Sequence, residues 1–483
     1  MNLSMIRYAV GLIARVEAGL LLLPLLVSLF YQEYHLVFSF MVSSSIAFVG
    51  SYLLTTRQKP KNAVIYAREG FVIVALCWIV LSLIGALPFF ISGEIPHFID
   101  AFFETVSGFT TTGSSILQDV EALGQGLLFW RSFTHWIGGM GVLVFVMAIL
   151  PLADDHSIHI LRAEAPGPTV GKLVPRMRDT AKILYSIYFW ITFSQIILLF
   201  LGGMPLFDSV VHAFGTVGTG GFGIKAESIG YYDSAYLHWV ITIFMILCGV
   251  NFNLYYFLLL RRWKEAFLDT EMLTYFGIIA AAITLISLNI RDSFSSMAET
   301  VQYAAFQVGS IITTTGYATT DFNLWPSFSK IILFLLMFVG ACAGSTGGGI
   351  KVSRILLMGK IVRKETRRML HPRAVSLVKM NGKAVSNETI SGVTAYLISY
   401  LGIIVFSILL LALDNFDFES TVTAVIACLN NIGPGLGMVG PNGNFSEFSV
   451  LSKLVLSADM LFGRLEIFPM LMLFTPSLWK KKF

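Results

Sequence analysis

Charge is what this sequence has least of. Of its 483 residues only 13% are Asp, Glu, Lys or Arg, against 55% hydrophobic, and the mean hydropathy is +0.75. A soluble globular chain carries about 25% charged residues, so the shortage excludes that class and points to a polytopic membrane protein. Cysteine is scarce too. Cys77, Cys248, Cys342 and Cys428 stand in apolar surroundings without metal-ligand spacing and read as small hydrophobes. The eight histidines form no HExxH or haem-type pairing, and no Ser–His–acid set stands out, so the chain reads as no enzyme. His156 and His159 sit three apart but lack a third ligand, and read as a solvated face. Ten-residue alternating segments, the mark of a membrane barrel, are missing. The first apolar stretch lacks a cleavage site and exceeds a signal peptide's core, so it is expected to stay as a span.

What the sequence does have is long apolar runs. A helix needs about 20 such residues to cross a bilayer, and ten runs qualify: roughly 8–30, 36–55, 69–92, 127–150, 183–203, 234–260, 273–290, 327–350, 394–413 and 449–474. In hydrocarbon the backbone must satisfy its own hydrogen bonds, which makes these helices. The expected fold is therefore an all-α polytopic membrane protein, with lipid as its first partner. Of the 33 Lys and Arg, 27 lie at the N-terminus or in 56–69, 151–182, 261–264, 351–383 and 480–482. If the helices alternate, these stretches share one side, while Asp100, Glu104, Asp119, Glu121, Asp414, Asp417 and Glu419 fall on the other. The positive-inside rule then puts both termini in the cytoplasm. Charges split between loops that flank spans argue against nucleic acid as a partner.

Four segments are apolar but too short to cross: 96–110, 205–218, 296–312 and 417–430. Each is followed by a run of Thr, Asn and Gly, then by another span. The four runs align on Gly113 (TTTGS), Gly221 (GTGGF), Gly316 (TTTGY) and Gly433 (NNIGP), at spacings of 108, 95 and 117 residues. Asp100 and Asp208 each stand thirteen residues before their glycine. The chain thus reads as two N-terminal helices (1–60) and four repeats of span, short helix, polar loop and span. Those repeats are assigned to 61–165, 166–268, 269–385 and 386–483.

Each loop follows the C-terminal end of its short helix, where free carbonyls and about half a negative charge favour cations. Open backbone at membrane depth persists only when buried in protein or lining a wet cavity. Four such loops on one axis make a ring of carbonyl and hydroxyl oxygens, as in filters where oxygens replace an ion's hydration shell. Glycine permits the backbone angles this needs.

Those loops, the two extra N-terminal helices, GACAGSTGGGIK at 340–351 and FGRLE at 462–466 occur in one order. In this the chain resembles, over almost its whole length, the TrkH-type branch of the Trk/Ktr/HKT potassium transporters. The resemblance implies a channel-like pore for potassium ions, the transported species, with no organic cofactor. One filter glycine per repeat goes with potassium in that family, and Gly113, Gly221, Gly316 and Gly433 fill all four places. The coordinating positions it implies are Thr111, Thr112, Thr219, Gly220, Thr314, Thr315, Asn431 and Ile432. The fourth loop departs from the Thr-rich pattern, leaving backbone carbonyls as its expected ligands.

Glycine costs about 1 kcal/mol in a helix interior. The density of Gly340, Gly344, Gly347, Gly348 and Gly349 therefore predicts unwinding across 340–350. It is either a close helix-packing site or, as the resemblance implies, an intramembrane gate of Gly344, Ser345, Thr346, Gly347, Gly348, Gly349 and Lys351. Arg464 lies inside the last span, where a charge costs roughly 2.5–3.5 kcal/mol and needs a partner or a cavity. It is either half of an ion pair with Glu466 or Asp459, or a positive charge beside the pore. Arg131 is given no role.

GTGGFG at 218–223 lacks the strand and helix of a dinucleotide site, and Ile350 intrudes before Lys351 in GSTGGGIK, spoiling a phosphate loop. The resemblance also implies a homodimer with one pore per subunit. It implies a cytoplasmic ring of nucleotide-binding subunits of TrkA or KtrA type, for which RKETRRMLHPR at 363–373 is the expected docking surface. A secondary symporter coupled to sodium or protons stays open beside the channel, with a membrane enzyme third.

Overall fold

A computed structural model describes residues 2–56, 66–141, 177–373 and 377–476. His156 and His159 lie outside the described residues. The chain begins with α1 (Leu3–Leu20) and α2 (Leu22–Phe30), and α3 (Tyr34–Thr56) returns against them. The first repeat holds α4 (Ala67–Gly85), α5 (Leu87–Ser92), α6 (Phe98–Phe109) and α7 (Gln125–Gly139). The second holds α8 (Met177–Leu201), α9 (Leu206–Val217), α10 (Ala235–Cys248) and α11 (Phe252–Leu259), with α12 (Trp263–Phe267) leading onward. The third holds α13 (Thr270–Asn289), α14 (Met297–Ile312), α15 (Ser327–Val339) and α16 (Val352–Leu370). The fourth holds α17 (Asn387–Leu411), α18 (Phe418–Leu429), α19 (Val450–Arg464) and α20 (Phe468–Leu473). A hairpin pairs Lys379–Met380 with Lys383–Ala384 around Asn381 and Gly382, both at positive φ.

The short helices α6, α9, α14 and α18 each carry an acid in the first turn: Asp100, Asp208, Glu299 and Glu419. Negative charge is favourable there because the helix N-terminus exposes free N–H groups. The two matched aspartates have different partners. Asp100 takes an ion pair from Lys453 on α19 at 2.6 Å, and Asp208 a hydrogen bond from the Tyr232 hydroxyl at 2.7 Å. Large apolar side chains such as Phe38, Phe48, Trp190, Phe200, Phe406 and Leu409 stand exposed on α3, α8 and α17. That is the surface of a multi-pass membrane protein, whose solvent at these positions is hydrocarbon.

The expectation of ten spans, interrupted only at 340–350, needs correction. Among the described residues six helical stretches are long and apolar enough to cross (Leu3–Phe30, Tyr34–Thr56, Arg68–Ser92, Asp179–Leu201, Thr270–Asn289 and Asn387–Asp414), and the bent pair α10–α11 makes a seventh if taken as one span; residues 142–150 of the expected fourth span lie outside the described residues. The closing helix of every repeat stops midway, whereas the sequence led us to expect a break only in the third. α7 ends at Gly139, α10 and α11 meet at 91°, α15 stops at Val339, and α19 stops at Arg464. Hydropathy sums side chains and does not register a backbone that turns aside. In the fourth repeat the turn runs through Glu466 (φ 56) and Ile467 (φ 70). A β-branched residue at positive φ is costly. Burial offsets that cost: Ile467 packs with Tyr396, Tyr400 and Leu429, and its N–H donates to Phe462 O at 2.8 Å.

The two extra helices are tied to the first repeat by Glu33, between α2 and α3. Its carboxylate accepts the N–H groups of Gln125 (2.7 Å) and Gly126 (3.0 Å), capping α7 from outside. Glu33→Ala is expected to cost about 0.5–2 kcal/mol, the range for a lost helix cap. Thermal melting of the detergent-solubilised variant checks this; an unmoved transition would mean that the cap contributes nothing.

Candidate functional site

The four short helices end in one and the same cap. The N–H groups of Thr111, Thr219, Thr314 and Asn431 donate three residues back, to Gly108, Thr216, Ile311 and Cys428, at 3.1–3.2 Å. The next N–H groups, of Thr112, Gly220, Thr315 and Ile432, donate five residues back, to Ser107, Gly215, Ser310 and Ala427, at 2.8–2.9 Å. This is the Schellman pattern, which requires a left-handed residue and usually employs glycine. Here φ is 55, 55, 58 and 55 at Thr111, Thr219, Thr314 and Asn431. Left-handed backbone costs a residue with a Cβ roughly 1–2 kcal/mol, and such strain is held where the surroundings over-determine it, typically at functional sites.

Two residues on, the four aligned glycines also take positive φ, from 77 to 97. Their surroundings close a circle. A Cβ at Gly113 would strike the carbonyl oxygen of Gly220, one at Gly221 that of Thr315, and one at Gly316 that of Ile432. At Gly433 it would meet the oxygen of Thr112 at 2.8 Å. Each glycine thus admits the carbonyl of the next repeat, in the order first, second, third, fourth, first. All twelve residues singled out in the loops come together in this ring. Ser114 Oγ to Gly433 O (3.1 Å) and Asn431 Nδ2 to Thr112 Oγ1 (3.0 Å) lock its closing joint. The Asn431 side chain also donates to Met460 O at 2.9 Å.

Oxygen is the only ligand chemistry the ring offers. Among the described residues no cluster of His, Cys, Asp or Glu suits a tightly held metal. Thr111 Oγ1 is buried without a hydrogen-bond partner, while Thr219 Oγ1 donates to Gly218 O and Thr314 Oγ1 accepts from Gly348 N at 2.6 Å. The four glycines form the floor of a cavity of about 160 Å³, whose wall includes Ser114, Pro434, Arg131 and Lys225. At its edge Lys225 pairs with Glu121 at 2.8 Å, joining the first two loops, and that hydrogen bond holds the Glu121 carboxyl below its ordinary range.

On the other face of the ring lies the glycine-rich loop between α15 and α16. A Cβ at Gly347 would approach Thr313 O to 2.8 Å, and one at Gly348 would approach Asn430 O to 2.5 Å. Thr346 donates to Cys248 O, and Gly344 O accepts from Phe252 N at 2.9 Å. Lys351, the last residue of the loop, is buried at φ 80 and donates to Gly347 O. Arg464 donates to Thr346 O (2.8 Å), Gly138 O and Gly139 O (2.7 Å), so it bridges the loop to the end of α7. Of its two expected acid partners, Glu466 forms an ion pair with Arg354, and Asp459 accepts from Ser407 Oγ at 2.8 Å.

Sequence reasoning missed the groups that brace the ring from behind. Glu104 on α6 accepts from Ser115 Oγ and Ile116 N (2.9 Å), and pairs at 2.6 Å with Arg131. Arg131 also donates to Gly223 O at 2.8 Å and lies over the Phe222 ring at 3.5 Å. His135 contacts Gly108 O through Nδ1 at 2.7 Å and accepts from Phe222 N through Nε2. The signal was available: Arg131, like Arg464, is a charge within an apolar run.

A family model described as TrkH, a cation transport protein, matches residues 36–481. The Trk system potassium uptake protein TrkH of Salmonella typhimurium is 38% identical over the full length of both chains. TrkG of Escherichia coli, also a Trk system potassium uptake protein, is 34% identical over 99% of this chain and 100% of its own. Among solved structures, the crystal structure of the potassium transporter TrkH from Vibrio parahaemolyticus superposes with a TM-score of 0.89. It is 34% identical and covers 99% of this chain and 100% of that one.

The buried pair behind the ring carries its own test. Arg131→Met strands the Glu104 carboxylate, and breaking a buried pair from one side typically costs about 3–5 kcal/mol. Melting temperature and yield are expected to fall sharply, and Glu104→Gln combined with Arg131→Met to recover part of the loss. A single variant that melts like the parent would show that the pair braces nothing.

Proposed function

The chain belongs to the TrkH family of cation transport proteins, and from that premise we propose that it carries potassium into the cell through a channel-like pore on the axis of the ring. The observation that carries this reading is the closed circle in which each glycine admits the next repeat's carbonyl. Thr112, Gly220, Thr315 and Ile432 supply backbone oxygens to the filter, and Thr111, Thr219, Thr314 and Asn431 hold the strained turns that set those oxygens. Gly113, Gly221, Gly316 and Gly433 keep the circle small and the path clear. Each repeat, with the boundaries read from the sequence, contributes one quarter of the filter.

The wide cavity beyond the glycines is the outer entrance, and the termini lie in the cytoplasm. Gly344, Ser345, Thr346, Gly347, Gly348, Gly349 and Lys351 form the gate, which obstructs the path on its inner side. Arg464 serves two ends: it ties the gate to α7, and it sets a positive charge beside the path that keeps a cation from binding too tightly. Two chains form a dimer with separate pores in the cytoplasmic membrane. A cytoplasmic nucleotide-binding ring of TrkA or KtrA type docks on the exposed basic end of α16, where Arg363, Lys364, Arg367 and Arg368 lie, and moves the gate.

Gly113→Ser places a hydroxymethyl group where the Gly220 carbonyl now sits. Selectivity for potassium over sodium is expected to fall, read as rubidium against sodium uptake by purified protein in liposomes. Unchanged selectivity in folded protein would remove Gly113 from the filter. The same liposomes separate the mechanisms, because flux that follows the potassium gradient alone is a channel's. A strict requirement for sodium or proton flux would make the protein a symporter.

A further inference from the structure

One carboxylate holds the glycine-rich loop at both ends. Glu271 lies in the first turn of α13 and is buried. Its Oε1 accepts the N–H of Ala343 at 2.7 Å, just before the loop, and that of Ser353 at 2.9 Å, just after it. The two donors are ten residues apart in sequence and meet on a single oxygen. A backbone bond from Val352 N to Ala341 O (3.1 Å) closes the same neck. Loop residues Gly344 and Thr346 are fastened elsewhere, to Phe252 N and Cys248 O.

The base on which Glu271 stands is fixed independently of the loop. Asp269 caps α13 by accepting from Met272 N at 2.9 Å. Asn381, at the tip of the hairpin that follows α16, donates to Asp269 Oδ2 at 2.6 Å and accepts from Thr270 N at 2.9 Å. The hairpin is itself tied back to α16, where Lys360 Nζ donates to Lys379 O at 2.8 Å. A rigid helix end therefore carries an acceptor into the neck of a loop rich in glycine, whose backbone freedom is largest.

We propose that Glu271 is a positioning residue for the gate: it staples the two ends of 344–351 together and so keeps the loop across the ion path. Hydrogen bonds to a charged acceptor are roughly twice as strong as neutral ones. Two of them on one oxygen mean that the loop cannot swing aside without breaking at least one. The proposal rests on the reading of this loop as the obstruction. It adds a group outside the loop, on another helix, that sets how often the obstruction is in place.

The experiment measures potassium-driven rubidium flux and rubidium-to-sodium preference with purified full-length protein in liposomes. It compares the parent, Glu271→Ala, Glu271→Asp, Glu271→Gln, a variant lacking 345–349, and that deletion combined with Glu271→Ala. Loss of the staple is expected to raise flux roughly 10-fold or more with ion preference unchanged, the scale set by losing even one hydrogen bond to a charged acceptor. Asp is one methylene short of reaching both donors and gives an intermediate rise. Gln keeps an oxygen that accepts both N–H groups and raises flux least. In the loop-deleted background Glu271→Ala adds nothing, because there is no longer a loop to hold.

If the deletion itself leaves flux unchanged, the obstruction reading fails. If the deletion raises flux but Glu271→Ala and Glu271→Asp do not, the staple alone fails. An equal rise in Ala, Asp and Gln, or a further rise from Ala in the deleted background, also overturns the staple, since neither depends on spanning the neck. Should the Ala variant not fold, the Asp and Gln comparison decides by the same order.

Discussion

The structure depends on a steric constraint at four points. A carbonyl oxygen of one repeat occupies the space where the neighbouring repeat's glycine would carry a Cβ. Each contact joins two neighbouring repeats, every glycine facing forward to the next loop and the last facing back to Thr112. The circle is complete only with all four in place. It follows that stability in the ring is shared rather than local. A side chain at any of the four positions pushes a carbonyl in a different repeat, some hundred or more residues away.

Closing the circle has consequences on both faces. To bring a helix end onto the axis and turn away at once, each short helix adopts a Schellman cap with a residue bearing a Cβ at its left-handed position. That strain is held by packing from behind, where Glu104, Arg131 and His135 tie the first loop to the second. On the opposite face the closing helix of each repeat gives way. Gly463, for example, passes so close to Leu429 O that a Cβ there would overlap it. The break that the sequence advertises by its glycines in the third repeat is thus a general feature, exaggerated there into a loop of twelve residues from Gly340 to Lys351.

The repeat was legible in the sequence because its elements are local. An apolar run too short to span, followed by Thr, Asn and Gly, can be found by reading along the chain, and the alignment on four glycines needed nothing else. The breaks in α7, α10 and α19 were not legible, since hydropathy rates Gly138, Gly249 and Gly463 no differently from glycines inside a continuous span. Nor were the partners of buried charges. Arg464 was noticed as a charge at membrane depth, yet its hydrogen bonds go to carbonyl oxygens of α7 and the loop, more than a hundred residues off. Glu271 looks from the sequence like any acid in a helix's first turn, favourable for its dipole. Only the fold brings Ala343 and Ser353 to it.

The charges around the axis suggest how a pore of this kind holds a cation without trapping it. Four helix C-termini converge on the ring, each equivalent to about half a negative charge. Arg131 is neutralised by Glu104 at 2.6 Å and contributes little net field. Arg464 lies on the inner side, where it donates to carbonyl oxygens of the loop and of α7. Unit charges a few ångströms apart interact by about 4 kcal/mol at an effective dielectric of 20. On the proposed reading, a guanidinium on the inner side offsets part of the attraction of the four half-charges. Conduction needs both conditions at once, entry that is favourable and release that is not too costly. On the proposed reading, Arg464 meets the second condition with the same guanidinium that fastens the gate.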